Sequence, residues 1–146
     1  MSEQIPPTSP STPLPPLSAA EEKQWAMISH LSVLINLFTG FVGVGVPLIV
    51  YFLYKDRSRY VAFHSLQALI MQGICSFGGL LLAVVIGVFS QFIPVVGLIC
   101  LPISCLFGLL PVVAIVYGIY GGIQINNGQD FKYWLAGDWA QNMLPR

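Results

Sequence analysis

The sequence predicts an all-α membrane helical bundle of four transmembrane helices, one of them short or broken. Three observations carry that prediction. Mean hydropathy is +0.76. Only 8% of the residues are charged, where a soluble domain has about 25%. The charges are also confined: residues 24–54 and 61–129 hold none. Too little charge remains to cover a soluble globule, so a typical soluble enzyme is excluded. A formal net charge of zero excludes an acidic disordered chain and a basic nucleic-acid binder. The expected partner is the lipid bilayer.

The chain divides into a tail at 1–18, a helical bundle at 19–126 and a C-terminal tail at 127–146. The first part holds Pro6, Pro7, Pro10, Pro13, Pro15 and Pro16 among Ser and Thr. It cannot build a core and reads as a disordered, solvated tail rather than a ligand for a partner domain. It lacks the basic and apolar regions of a signal peptide. Ser18 and Glu21 have the spacing of a capping box, which starts helix one near Ala19. That helix runs to about Thr39, with Trp25 as an interfacial anchor. Gly40, Gly43, Gly45 and Pro47 then interrupt it. A short second helix covers about Val46 to Tyr54.

The third helix is expected from about Val61 to Ser90. Cys75, Gly79, Ala83 and Gly87 recur on it at spacing four, a small-residue stripe suited to close helix contact. The fourth lies within Val95–Asn126, begun late or kinked by Pro102 and Pro111. It carries Gly118 and Gly122 as a GxxxG pair. Gly128 suits the turn that ends it. The aromatic tail after it, with Tyr133, Trp134 and Trp139, is expected along the membrane interface.

Four crossings place both termini and the Lys55-Asp56-Arg57-Ser58-Arg59 loop on one side. Every basic residue (Lys23, Lys55, Arg57, Arg59, Lys132 and Arg146) then faces the cytoplasm, and neither far-side turn holds one, a positive-inside pattern. With three crossings, residues 25–54 would form one helix of about 45 Å carrying glycines and Pro47 inside the membrane. The four-crossing reading is preferred. It implies a multi-pass protein, by expectation of the bacterial cytoplasmic membrane, with cytoplasmic termini. The basic loop, Lys55, Arg57 and Arg59, reads as a topology determinant rather than a lipid-docking site.

Polar residues inside apolar spans are the candidate site. Ser29, Ser32 and Asn36 share a face of helix one, close to His30. His64, Gln67 and Gln72 stand on the third helix. Two histidines without an intramembrane carboxylate make a poor metal site, since zinc takes three or four protein ligands or water. No metal or other cofactor is expected. Hydrogen bonding between helices is preferred over a lining for a transported species. Cys75, Cys100 and Cys105 form no CxxC pair and are odd in number, so no disulfide framework follows. No GxSxG, HExxH, P-loop or dinucleotide fingerprint occurs, so no enzyme is expected.

Several segments together resemble the Tic-twenty-like family of small membrane proteins. Trp25-Ala26-Met27-Ile28-Ser29-His30-Leu31 resembles its W-A-M-x-x-H-L opening. Pro47-Leu48-Ile49, Lys55-Asp56 and His64-Ser65-Leu66-Gln67-Ala68-Leu69 resemble its P-L-I, K-D and H-x-x-Q-A-L middle. Asn127-Gly128 and Phe131-Lys132-Tyr133 resemble its end, where Trp134 replaces the usual Pro. The resemblance implies four transmembrane helices and a distant relation to a subunit of the protein-import translocon of the inner chloroplast envelope. It also singles out His30, His64 and Gln67.

The function expected is that of a non-enzymatic multi-pass membrane protein, acting by assembly as a homo-oligomer or with a membrane-protein partner. The alternative is a small transporter or channel subunit using the two polar faces. A weaker reading is a scaffold that recruits soluble proteins through Pro6–Pro16.

Overall fold

The computed structural model describes residues 15–92 and 94–144, and every regular element among them is helical. The Pro6–Pro13 part of the predicted tail and Arg146 lie outside the described residues. Helix α1 covers Ala19–Leu31. Ser18 accepts from the Glu21 backbone N–H at 3.3 Å while Glu21 Oε2 accepts from the Ser18 N–H at 2.8 Å, which is the capping box its spacing predicts.

The first predicted crossing is not one regular helix. A tighter 3-10 stretch, Ser32–Ile35, follows α1, then the single turn α2, Asn36–Thr39. Gly40 ends it at φ +79, in the region that favours glycine. A second 3-10 turn, Val42–Val44, leads into α3, Gly45–Tyr54. Helices α1 and α3 form a short hairpin against the next helix.

That helix is longer than predicted. Helix α4, Arg59–Gln72, a wide π-type segment Gly73–Gly78 and α5, Gly79–Phe92, run on without a break. Ser58 caps it, its hydroxyl accepting from the Val61 N–H at 3.1 Å. The predicted fourth helix is two. Helix α6, Pro94–Gly108, contains Pro102, and α7, Leu110–Asn126, begins with Pro111 in its first turn. A proline there lacks only an N–H that the first turn leaves unbonded anyway. Helix α8, Ala136–Met143, turns the C-terminal tail back.

Two helical stretches, Arg59–Phe92 and Gly97–Asn126, are long and apolar enough to cross a membrane, while Val42–Tyr54 is shorter. The core sits where α1, α4, α7 and the C-terminal segment meet. Ala26, Ile125, Phe131, Tyr133 and Ala136 form one cluster; Ala62, Leu66, Ala140 and Leu144 form a second beneath α8. Helices α5 and α6 pack chiefly on each other.

Small residues set these contacts. An added Cβ at Gly79 would meet Leu110 Cβ at 2.8 Å, at Gly118 Val33 Cγ1 at 2.5 Å, and at Gly122 Leu31 Cδ2 at 2.7 Å. Ala83 offers its carbonyl to Ser104 Oγ at 2.8 Å, and Gly87 lies over the same serine. Cys75 is buried with Val33 and Ala114. The stripe of spacing four thus meets α7 at its start and α6 further along.

Candidate functional site: a buried polar seam

All seven polar residues singled out from sequence point inward. Ser29, His30, Ser32, Asn36, His64, Gln67 and Gln72 are each at most 8% exposed. They form one seam between the first hairpin and α4, because α1 and α4 present their polar faces to each other.

Its lower half is built on Gln67. The side-chain amide nitrogen donates to the Phe131 carbonyl at 2.9 Å, and the amide oxygen accepts from the Tyr133 N–H at 3.1 Å. The side chain thus pairs with the tail as a neighbouring strand would. Both backbone partners have fixed roles, so the orientation of the amide is fixed too. The same nitrogen lies 2.9 Å from His64 Nδ1, which therefore accepts. His30 Nε2 stands 3.4 Å from that atom and carries the hydrogen. His30 Nδ1 is left to accept from the Tyr133 hydroxyl at 2.9 Å. The Tyr60 ring lies 4.3 Å from the His64 ring. Burial raises the pKa of Tyr133, so its hydroxyl stays a donor.

The upper half is built on Gln72. Its nitrogen donates to the Ser29 carbonyl at 3.2 Å and to Ser32 Oγ at 3.1 Å. Its oxygen accepts from Asn36 Nδ2 at 3.4 Å, and Asn36 Oδ1 accepts from the Gly43 N–H at 2.7 Å. The bend that closes the first hairpin is therefore tied to α4 through two amides. Ser29 and Ser32 return their hydroxyls to the carbonyls of Trp25 and Ser29.

The seam is satisfied. Among the described residues, the one buried side-chain oxygen or nitrogen without a partner is Ser76 Oγ, in the π-type segment. None of the three main clefts is lined by His30, His64, Asn36 or Gln72. The largest, about 280 Å³, lies outside α4 between Arg59, Asp130, Lys132 and Gln141, over Phe63, Phe131 and Leu144. A second, about 230 Å³, lies between Met71, Val113 and Tyr117 and the Tyr133–Ala136 segment. The third, about 200 Å³, lies among Phe41, Phe77, Leu80, Leu81 and Val84. No group of three or more His, Cys, Asp or Glu gathers among the described residues. Cys75, Cys100 and Cys105 are free thiols.

The predicted basic loop is held at the near end. Arg57 donates to the Pro15 carbonyl at 2.9 Å and lies over the Tyr54 ring, and Lys55 lies over Phe52. Ser58 Oγ donates to Glu22 at 2.5 Å, joining α1 to α4.

Sequence reading missed Phe131, Tyr133 and Gly137 as members of the seam. Gly137 packs against Lys132 and Gln67. Their partners lie more than sixty residues away in the chain, so no local periodicity marks them.

The chain matches the model of the Magnetosome magnetite crystal formation protein family over residues 21–140. This overturns the Tic-twenty-like resemblance: the motifs quoted for it are short, separate strings, while the matching family model runs continuously over residues 21–140. The relation to protein import falls with it. Neither a curated protein nor a solved structure matches the chain.

Proposed function

The chain belongs to the magnetosome magnetite crystal formation protein family, and from that premise we propose that it is a non-enzymatic, multi-pass protein of the magnetosome membrane. In this reading it supports crystal formation by assembling with itself or with a membrane partner. The supporting observation is the distribution of polar and apolar side chains. The seven polar residues of the seam face inward and are joined by hydrogen bonds. The surface left for neighbours is apolar: Leu81, Val84, Val88, Phe89, Leu98 and Ile99 are among the large side chains exposed on α5 and α6.

The charge map argues for an indirect role. Iron takes imidazole and carboxylate ligands from protein, and both imidazoles here, His30 and His64, are buried in the seam. With the basic loop on the cytoplasmic side, all described acids (Glu21, Glu22, Asp56, Asp130 and Asp138) lie on that side too. The α5–α6 turn on the other side has no carboxylate to offer a crystal. A transport role would need a polar cleft along the seam, and His30, His64, Asn36 and Gln72 line none of the three clefts described above.

Chemical crosslinking in intact native membranes tests the reading. Adducts heavier than a single 15.9 kDa chain are expected. A strictly monomeric species would count against assembly.

A further inference from the structure

The long helix is too long for one bilayer. Arg59–Phe92 has 34 residues, about 50 Å at 1.5 Å per residue, against a hydrocarbon core of about 30 Å. The rest of the fold shows which part belongs in lipid. Lys132 and Asp138 form an ion pair with side chains 43% and 57% exposed. Lys132 lines a cleft with Arg59 and Phe63 and lies against Gly137, itself beside Gln67, so the pair stands beside the first turns of the helix, no higher than Gln67. A solvated ion pair does not belong in hydrocarbon. One turn higher, Trp134 is 88% exposed and shares a cleft with Met71 and Tyr117. Aromatic rings of this kind mark the membrane–water boundary. From Met71 to Phe92 is about 31 Å of helix, which matches the core thickness.

The first hairpin stops early. The Phe41 ring meets the Phe77 ring edge-on at 6.1 Å, so the hairpin tip lies about 22 Å short of Phe92 along the helix. It therefore enters the near leaflet and turns back. Beyond it only α5 and α6 continue. At headgroup level α1, α3, α4, α7 and α8 lie side by side; in the far leaflet there are two helices. The exposed stripes of Leu135 with Trp139 and Met143, at the start of α8 and along it, and of Ile49, Phe52 and Leu53 on α3 add apolar faces at the near boundary, where amphipathic helices lie in the membrane plane.

We propose that the chain is a wedge, broad in the near leaflet and narrow in the far one, whose lipid-facing surface fits a bilayer that is convex on the side of the Lys55–Arg59 loop. The shape expands one leaflet more than the other, so the protein is more stable in curved than in flat membrane, and only in one orientation. This goes beyond assembly and holds for a single copy.

Labelled full-length protein in giant phosphatidylcholine vesicles, drawn into membrane tubes, tests it. With the loop side outward, the tube-to-vesicle density ratio should exceed one and climb as the tube narrows; with the loop side inward it should fall below one. Thr39 and Gln91 are exposed, so Thr39→Cys and Gln91→Cys, in a chain with Cys75, Cys100 and Cys105 changed to Ala, read the depth of each turn. A membrane-impermeant maleimide on the far side should label the cysteine at 91 and not that at 39. A ratio of one at every tube width, equal ratios in both orientations, or far-side labelling at 39 would overturn the proposal.

Discussion

Gln67 is an amide doing the work of a strand, and its loss should be felt through the tail. Gln67→Leu removes the partners of the Phe131 carbonyl and the Tyr133 N–H, leaving buried polar groups that cost about 1–3 kcal/mol each. Faster proteolysis of residues 127–144 than in the parent is the expected result. Tyr133→Phe strands His30 Nδ1 and should lower stability by about 1 kcal/mol, read from detergent denaturation. The glycines of the first turn differ sharply. A Cβ at Gly43 would come within 2.6 Å of Asn36 Oδ1, and one at Gly45 meets nothing. Gly43→Ala should therefore cost about 1–3 kcal/mol, while Gly45→Ala should be neutral or stabilising by up to about 1 kcal/mol. Glu21 is held below its ordinary pKa of 4.5, chiefly by the Ser18 N–H and then its hydroxyl. That support is present above the ordinary value and is lost as pH falls through the lowered one. The protection factors of the first turn of α1, with the intrinsic exchange rate divided out, should fall on acidification, and Glu21→Gln, which keeps the hydrogen bond, should flatten the response. The seam residues on α1 and α4 were legible because polar side chains stand out in a charge-free run. Tyr133 was not, because an aromatic residue in a polar tail looks like any interfacial anchor.

Helix starts and breaks carried different amounts of sequence signal. The capping box at Ser18 and the glycine turn at Gly40 use local chemistry, and both appear where the sequence puts them. By sequence Ser58 belongs to a charged loop, yet it caps α4 and binds Glu22. Ser58→Ala should cost about 1 kcal/mol or more and loosen α1 from α4. The π-type segment Gly73–Gly78 has no signature that a hydropathy profile detects; it lets the helix widen where α7 comes against it. Ser76 Oγ lies buried there without a partner. Ser76→Ala should raise stability by about 1 kcal/mol, an outcome seen as a higher midpoint of thermal unfolding. The break at Leu109 between α6 and α7 was half legible. Pro102 and Pro111 pointed to an interruption, but Pro102 is absorbed within α6 and Pro111 starts α7.

For the whole molecule, the fold class followed from charge distribution alone, because a chain with two long uncharged runs has few ways to satisfy its backbone except as helices in lipid. The number of crossings is a finer reading than the two long apolar helices carry. Run length counts residues and not depth, and the depth of the first hairpin is set by the Phe41–Phe77 contact and the Asn36–Gly43 bond. The family was not legible from short motifs either; those quoted pointed to another family. The central claim is that the apolar flanks of α5 and α6 are assembly surfaces, and that the polar seam between α1 and α4 only holds the shape. A photo-crosslinking residue at Phe89, which is 67% exposed, tests this in the native membrane. Illumination should give discrete protein–protein adducts, with the same residue at buried Val33 giving none between chains. Adducts to lipid alone from Phe89 and from Leu98 would contradict the claim.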